Sequence, residues 1–166
     1  EIAHMWFVES LLIFSFFYAV VRKRCPAISK DCDSRPTLTG LFIAALVMGI
    51  GSFFIRQVSP QDNWISLSLW IFEPAHYLQY VMMFVLGILA YRFCWLDKMT
   101  NKTGVIALSI GALLAIGNYV RQDGAWNDFV WRWFGIYESL MCVYICSGLL
   151  WLFREKVNMG NKALSW

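Results

Sequence analysis

Charged residues are scarce in this chain of 166 residues. Asp, Glu, Lys and Arg make up 15% of it, against roughly 25% in an ordinary soluble domain, whereas hydrophobic residues make up 59%. A soluble domain of this size leaves much of its surface exposed and could not bury so much apolar area in one core. The scarcity of charge therefore excludes an ordinary soluble domain and predicts an all-α integral membrane protein, since each span must satisfy its own backbone in lipid.

Two further absences limit the kinds of partner that the sequence predicts. The formal net charge of +3 is too small to indicate nucleic acid as a partner. The cysteines lack metal-ligand spacing: Cys25 and Cys32 share a basic segment, Cys94 lies alone, and Cys142 and Cys146 are one helical turn apart. Because none of them is predicted on the outer side of the membrane, we expect unpaired thiols, no disulfide and no metal site.

The ends of the sequence lack the marks of a complete chain. It begins with Glu1, no signal peptide precedes the first apolar run, and its last residues are NMGNKALSW. We therefore expect residues 1–166 to be the central part of a single, longer membrane domain. The remaining helices of that domain would then be its nearest partners.

Five apolar runs are present, and each approaches the length of about 20 residues that crosses roughly 30 Å of hydrocarbon. They are residues 4–21, 38–55, 74–91, 103–120 and 131–153. Glycine and alanine are frequent in the second and fourth runs, which predicts close helix packing there. The segment NWISLSLWIFE (63–73) is too short for a span, so we expect an interfacial helix or an extension of the third span.

The basic residues predict the orientation of these spans. Lys and Arg concentrate after the first, third and fifth runs, whereas Arg56 alone follows the second. The excess of Lys and Arg in cytoplasmic segments then places the N-terminus outside and the C-terminus in the cytoplasm. Trp95 and Trp151 fall at the predicted inner ends, as in an aromatic belt. We expect the inner (plasma) membrane of a bacterium as the location, with membrane lipid around the spans.

Two carboxylates lie well inside predicted spans, at Glu9 and Glu138. A carboxylate near the centre of a membrane helix costs about 2.5–3.5 kcal/mol on insertion scales. Such residues usually face a protein interior or a water-filled cavity. Both fall in the outer halves of their spans and are therefore the leading candidates for a functional site.

Other polar residues lie at a similar depth. His4 is at the outer mouth of the first span, Asn118 is near the outer end of the fourth, and His76, Gln79 and Tyr80 share one face of the third. This distribution favours a polar cavity that opens to the outside. The alternatives are that the histidines are wetted interfacial residues and that Gln79 and Asn118 are hydrogen-bonding contacts between helices.

Three phrases carry a resemblance to the acyltransferase 3 family. The stretch 4–22 reads HMWFVESLLIFSFFYAVVR and looks like the family's H-L-W-F-L-E-x-L-L-I-F-S-x-x-Y phrase. The stretch 79–97 reads QYVMMFVLGILAYRFCWLD and is similar to Q-Y-x-x-x-F-x-L-G-I-x-A-Y-R-x-x-W-L. The stretch 137–158 reads YESLMCVYICSGLLWLFREKVN and resembles W-E-S-x-x-C-V-x-x-x-x-G-L-L-x-L-F-R-E-x-x-N, with Tyr137 in place of the commoner tryptophan.

The resemblance implies a membrane enzyme of roughly ten helices. Such enzymes transfer an acyl group, typically acetyl or succinyl, from acyl-CoA to a hydroxyl of a glycan or a related extracytoplasmic acceptor. It implies no bound cofactor, with acyl-CoA as co-substrate. The histidine thought to act as base lies in family regions absent from this sequence, so we expect this part to be inactive alone.

The same resemblance implies roles for the candidate residues. Glu9 or Glu138 would orient the missing histidine, stabilise its charge or bind the acceptor. Trp6 would stack on a sugar face, and His4, His76, Gln79, Tyr80 and Asn118 would line the acceptor site. The basic run Arg22, Lys23 and Arg24 is placed to meet CoA phosphates, although membrane topology alone also explains it.

Two competing functions use the same residues. A transporter or flippase segment would bind its solute in the outer polar cavity, although the sequence shows no inverted repeat or paired broken helices. A structural membrane subunit would perform no chemistry.

Overall fold

A computed structural model of the protein describes residues 6–24, 34–59, 63–67, 70–120 and 128–157. Its helices are α1 (Trp6–Arg24), α2 (Leu38–Val58), α3 (Pro74–Arg92), α4 (Trp95–Lys98), α5 (Asn101–Val120) and α6 (Asp128–Leu152), and a π-helical turn, Phe153–Val157, continues α6. The described part of every predicted span is helical, so the prediction of an all-α membrane fold is confirmed.

Four of the described helical segments are long and apolar enough to cross a membrane: Leu38–Val58, Pro74–Arg92, Asn101–Val120 and Arg132–Lys156. The helix α1 has 19 residues but is not among them. Its apolar stretch is shortened by Glu9 in the first turn and by Arg22, Lys23 and Arg24 in the last. The predicted total of five spans is therefore supported for four of the five.

Local sequence sets the helix boundaries. The Thr37 hydroxyl oxygen caps α2 by accepting a hydrogen bond from the Gly40 amide at 3.0 Å. Pro74 begins α3, where its missing amide hydrogen and fixed φ are tolerated. The backbone then turns sharply between α3 and α4, because Cys94 adopts the left-handed conformation with φ of 52°.

The segment before α3 forms two short antiparallel strands, β1 (Ile65–Leu67) and β2 (Trp70–Phe72), with Ile65 opposite Phe72. The prediction of an interfacial helix or an extension of the third span was wrong. The reason lies in the pattern ISLSL, which alternates apolar and polar residues with the period of a strand.

The helix α6 is central to the bundle, with α2 on one side and α5 on the other. Small residues bring the backbones together, as predicted. A Cβ at Gly49 of α2 would lie 2.8 Å from the Ile136 Cα, and a Cβ at Gly111 of α5 would lie 2.7 Å from the Ile145 amide nitrogen. Neither glycine can be enlarged without moving a neighbouring backbone.

Aromatic contacts attach α1 to α3. The Phe14 ring lies 5.5 Å from the rings of both Tyr77 and Phe84, and the Tyr18 ring lies 6.4 Å from that of Phe84. Such ring pairs add about 0.5–1.5 kcal/mol each to the apolar burial. The first helix thus packs against the third and not against lipid alone.

Two expectations about the inner end need correction. Trp151 is buried and not in a lipid-facing belt: its indole Nε1 donates to Asn101 Oδ1 at 3.1 Å, and its ring packs over Gly104. Cys94 is disulfide-bonded, so the expectation of unpaired thiols was wrong for it. Cys142 and Cys146 are free.

The disulfide bears on the orientation. Disulfides persist mainly in oxidising compartments, whereas the basic segments place the Cys94 end in the cytoplasm. Cys25 and Cys32 lie outside the described residues. The orientation therefore stays a prediction that a labelling experiment has to decide.

We predict that a cysteine replacing Lys102 will react with a membrane-impermeant maleimide only in inside-out vesicles, because the distribution of Lys and Arg assigns this end to the cytoplasm. A matched cysteine replacing Val58, 88% exposed at the opposite end, should react only in right-side-out vesicles. Both variants are made in a chain with its native cysteines replaced by serine. The reverse labelling pattern would contradict the predicted orientation and agree with the disulfide at Cys94.

We predict that Gly111→Leu will lower the free energy of unfolding by about 1–3 kcal/mol, the usual cost of overpacking a filled interface. Gly111 is buried against α6, whereas the next residue, Ala112, is exposed. Ala112→Leu is therefore the matched control and should leave stability nearly unchanged. Unfolding in mixed detergent micelles followed by circular dichroism measures both. Equal losses in the two variants would contradict close packing at Gly111.

Candidate functional site

A buried arginine stands at the centre of the polar residues. Arg56 lies in the last turn of α2, and its side chain is completely buried. Its Nη2 lies 2.5 Å from Glu138 Oε2 on α6, and the Glu138 side chain is 24% exposed. Because a buried charge needs a close partner of opposite sign, the pair fixes the end of α2 against α6.

His76, in the first turn of α3, joins this ion pair. Its Nδ1 lies 3.2 Å from Arg56 Nη2 and 3.4 Å from Glu138 Oε1. On the other side of the ring, Nε2 lies 3.6 Å from Glu73 Oε2. The imidazole is thus held between two carboxylates and touches the guanidinium, so both of its nitrogens have polar neighbours.

A second set of hydrogen bonds ties α3 to α6. The Gln79 amide Nε2 donates to Ser139 Oγ at 3.0 Å, and Ser139 Oγ donates to the Gly135 carbonyl at 2.7 Å. Gln79 Oε1 lies 3.5 Å from His76 Nδ1. Ser139 is fully buried, so this chain of contacts supports the histidine from the interior side.

We refer to these side chains as the polar cluster: Arg56, Glu73, His76, Gln79, Glu138 and Ser139. They come from α2, α3 and α6 and from the residue preceding α3. Two carboxylates and one guanidinium meet there in a largely apolar bundle. Tyr80 lies within electrostatic range of Glu138 and Glu73. The buried Ser52 hydroxyl lies one turn before Arg56. It has no hydrogen-bond partner in the described chain, so it can still form a hydrogen bond.

The structure brings several of the predicted site residues together. Glu138, His76 and Gln79 belong to the polar cluster, and Tyr80 lies beside it. Glu9 is half-buried on α1 and forms no hydrogen bond or ion pair with the described residues, so it is not part of the polar cluster.

The remaining predicted residues lie elsewhere. Asn118, near the end of α5, forms no hydrogen bond in the described part of the chain. Trp6 lies in the first turn of α1, and His4 is outside the described residues. Arg22, Lys23 and Arg24 are exposed in the last turn of α1, and their contact with CoA phosphates stays a prediction.

Sequence reasoning missed three residues of the polar cluster: Glu73, Ser139 and, most importantly, Arg56 at its centre. Arg56 was counted as a charge following the second span, but α2 continues through Val58 and carries it into the protein interior. One signal was available: carboxylates inside a span usually pair with a cation, and Arg56 is a cation on the predicted outer side. Its pairing with Glu138, 82 residues away in sequence, needed the folded structure.

The polar cluster has the chemistry of a site for hydroxyl-bearing or charged ligands. Carboxylates, an imidazole and an amide can accept and donate hydrogen bonds, and the guanidinium can balance developing negative charge. Among the described residues, no group of three or more His, Cys, Asp and Glu side chains is arranged to hold a metal ion.

Comparison with known proteins finds no relative of this chain. No family model, curated protein or solved structure matches the chain.

We predict that Arg56→Met and Glu138→Leu will each lower the free energy of unfolding by about 3–5 kcal/mol, because each leaves its partner charge in the interior. The double variant should lose clearly less than the sum of the two, since it removes both charges together. Unfolding of the three variants in mixed micelles gives this double-mutant cycle. Additive losses would show that the two side chains do not depend on each other.

Proposed function

We propose that this chain is part of a membrane acyltransferase that moves an acetyl or succinyl group from acyl-CoA to a hydroxyl of a glycan or a related acceptor. The polar cluster is its acceptor site. The observation that carries the proposal is that two of the phrases resembling acyltransferase 3 meet in space. Gln79, in the phrase 79–97, donates a hydrogen bond to Ser139, which follows Glu138 in the phrase 137–158.

The chemistry of acyl transfer explains why such a cluster would be useful. The acceptor hydroxyl attacks the thioester carbonyl carbon, a carbon–oxygen bond forms, the carbon–sulfur bond breaks, and the CoA thiolate leaves. The hydroxyl proton passes to a general base. Negative charge develops on the carbonyl oxygen during the attack, and fixed donors stabilise it.

Each member of the polar cluster suits one part of this task. Glu138 and Gln79 hydrogen-bond and orient the acceptor's hydroxyls. Arg56 neutralises Glu138 and supplies a fixed positive charge next to it. His76 also contacts the Glu138 carboxylate. Binding of the acceptor at Glu138 therefore depends on the charge of His76. The base itself is the histidine that the resemblance expects elsewhere in the full-length protein.

Burial strengthens these contacts. The Arg56 side chain is fully buried and those of His76 and Glu138 are 19% and 24% exposed, so little water screens the charges. Partial exposure of His76 and Glu138 leaves them accessible to a ligand from the end of the bundle. Acyl transfer to an external hydroxyl requires a site that excludes water at its buried end and admits the acceptor at its exposed end.

We predict that Glu138→Gln and His76→Asn, each made in the full-length protein, will lower kcat/KM for glycan acylation by about 10²-fold, the loss expected when an acceptor is misplaced. Labelled acyl-CoA supplied to membrane vesicles gives the rate. Glu155→Gln is the matched control, because Glu155 pairs with Arg154 at the other end of the same helical segment.

The outcomes separate the competing functions. Wild-type acylation in both variants, at equal expression, would remove the polar cluster from the mechanism. If the wild-type protein transfers no acyl group but moves a polar solute into liposomes lacking acyl-CoA, the polar cluster belongs to a transporter.

A further inference from the structure

A cavity of about 540 Å³ lies at the end of the bundle opposite the polar cluster. It is bounded by the start of α2, the end of α3 and the end of α6, with Leu41, Met83 and Val143 among its walls. Arg56 and His76 lie at the other ends of α2 and α3. The volume falls within the range of about 300–1,000 Å³ that is typical of ligand sites.

The walls favour a hydrocarbon as the occupant. Most of the lining side chains are aliphatic or aromatic, and few carry polar atoms. Thr37, one of the few, already accepts the Gly40 amide. A ligand rich in amides or hydroxyls would lose its hydrogen bonds to water without replacement. An acyl chain has no such groups to satisfy.

The mouth of the cavity carries a cation. Arg35 lines the cavity, is exposed and forms no ion pair with the described residues. Trp95 lines it as well, and its indole Nε1 donates to Ser34 Oγ at 3.2 Å. Tryptophan and arginine together are typical of the headgroup level of a bilayer, and basic residues between membrane helices attract anionic headgroups.

We propose that this cavity binds one acyl chain of an anionic phospholipid, with the lipid phosphate on Arg35. The apolar walls take the chain, and the Arg35 guanidinium at the mouth, which forms no ion pair with the described residues, selects the charge of the headgroup. The site is separate from the polar cluster, so the proposal does not depend on acyl transfer.

Gly87 allows a specific test. It lines the cavity, and a Cβ added there meets no atom within 4 Å, so Gly87→Phe starts without a clash at Cβ and is expected to occupy part of the cavity. Val85, two residues earlier on α3, is 42% exposed and is not part of the lining, so Val85→Phe is the matched control. For the headgroup, Arg35→Gln is compared with Lys102→Gln, an exposed lysine at the same end of the bundle but outside the cavity.

The measurement is native mass spectrometry of the detergent-purified protein, titrated with phosphatidylglycerol or with phosphatidylcholine of the same chains. We expect the wild type and both controls to hold one phosphatidylglycerol in preference to phosphatidylcholine. Gly87→Phe should lose both lipids. Arg35→Gln should lose only the preference, with affinity for phosphatidylglycerol about fivefold lower.

A second readout does not need the Gly87 variant to fold. Cys146 lines the cavity and Cys142, one turn away, does not. Phosphatidylglycerol should therefore slow alkylation of Cys146 by N-ethylmaleimide, relative to phosphatidylcholine, and leave Cys142 unchanged. The proposal is overturned if neither cysteine is protected, if Val85→Phe removes lipid as Gly87→Phe does, if palmitoyl-CoA displaces the phospholipid completely, or if lipid binds only to a dimer.

Discussion

The Arg56–Glu138 ion pair is the constraint on which the rest of the structure depends. A guanidinium that is completely buried among apolar helices carries a desolvation penalty of several kcal/mol. The Glu138 carboxylate offsets that penalty only if α2 and α6 hold their ends at a fixed height relative to each other. His76 then fixes α3 to the same point. One electrostatic requirement thus sets the register of three helices.

Small residues between the helices allow α2 and α6 to approach closely enough for this ion pair to form. Gly135 of α6 lies against Ser52 and Arg56 of α2, and Gly49 lies against Ile136 one turn further along. Larger residues at these positions would hold the two backbones apart, and the arginine would then reach the carboxylate only through water or lipid. The α5–α6 contact uses the same device, with Gly111 and Gly148 in place of bulky side chains.

The two ends of the bundle differ in chemistry although the same helices build both. At one end the polar cluster satisfies most of its hydrogen-bonding groups internally and leaves His76 and Glu138 partly exposed. At the other end the helices leave an apolar cavity with Arg35 at its mouth. The charged and hydrogen-bonding groups and the apolar walls are therefore separated along the length of α2, α3 and α6.

The sequence by itself determined the class, the helices and half of the site. Apolar length placed the spans to within a few residues, because a single apolar span in lipid satisfies its own backbone groups only as a helix. The energetic cost of a carboxylate inside a span identified Glu138 as a candidate site residue, although the sequence showed no partner for it. Tertiary structure alone decided which polar residues meet: it brought Arg56 to Glu138 and left Glu9 outside the polar cluster. Burial of an ion pair depends on how helices distant in sequence approach each other, and that distance is not encoded in any local pattern.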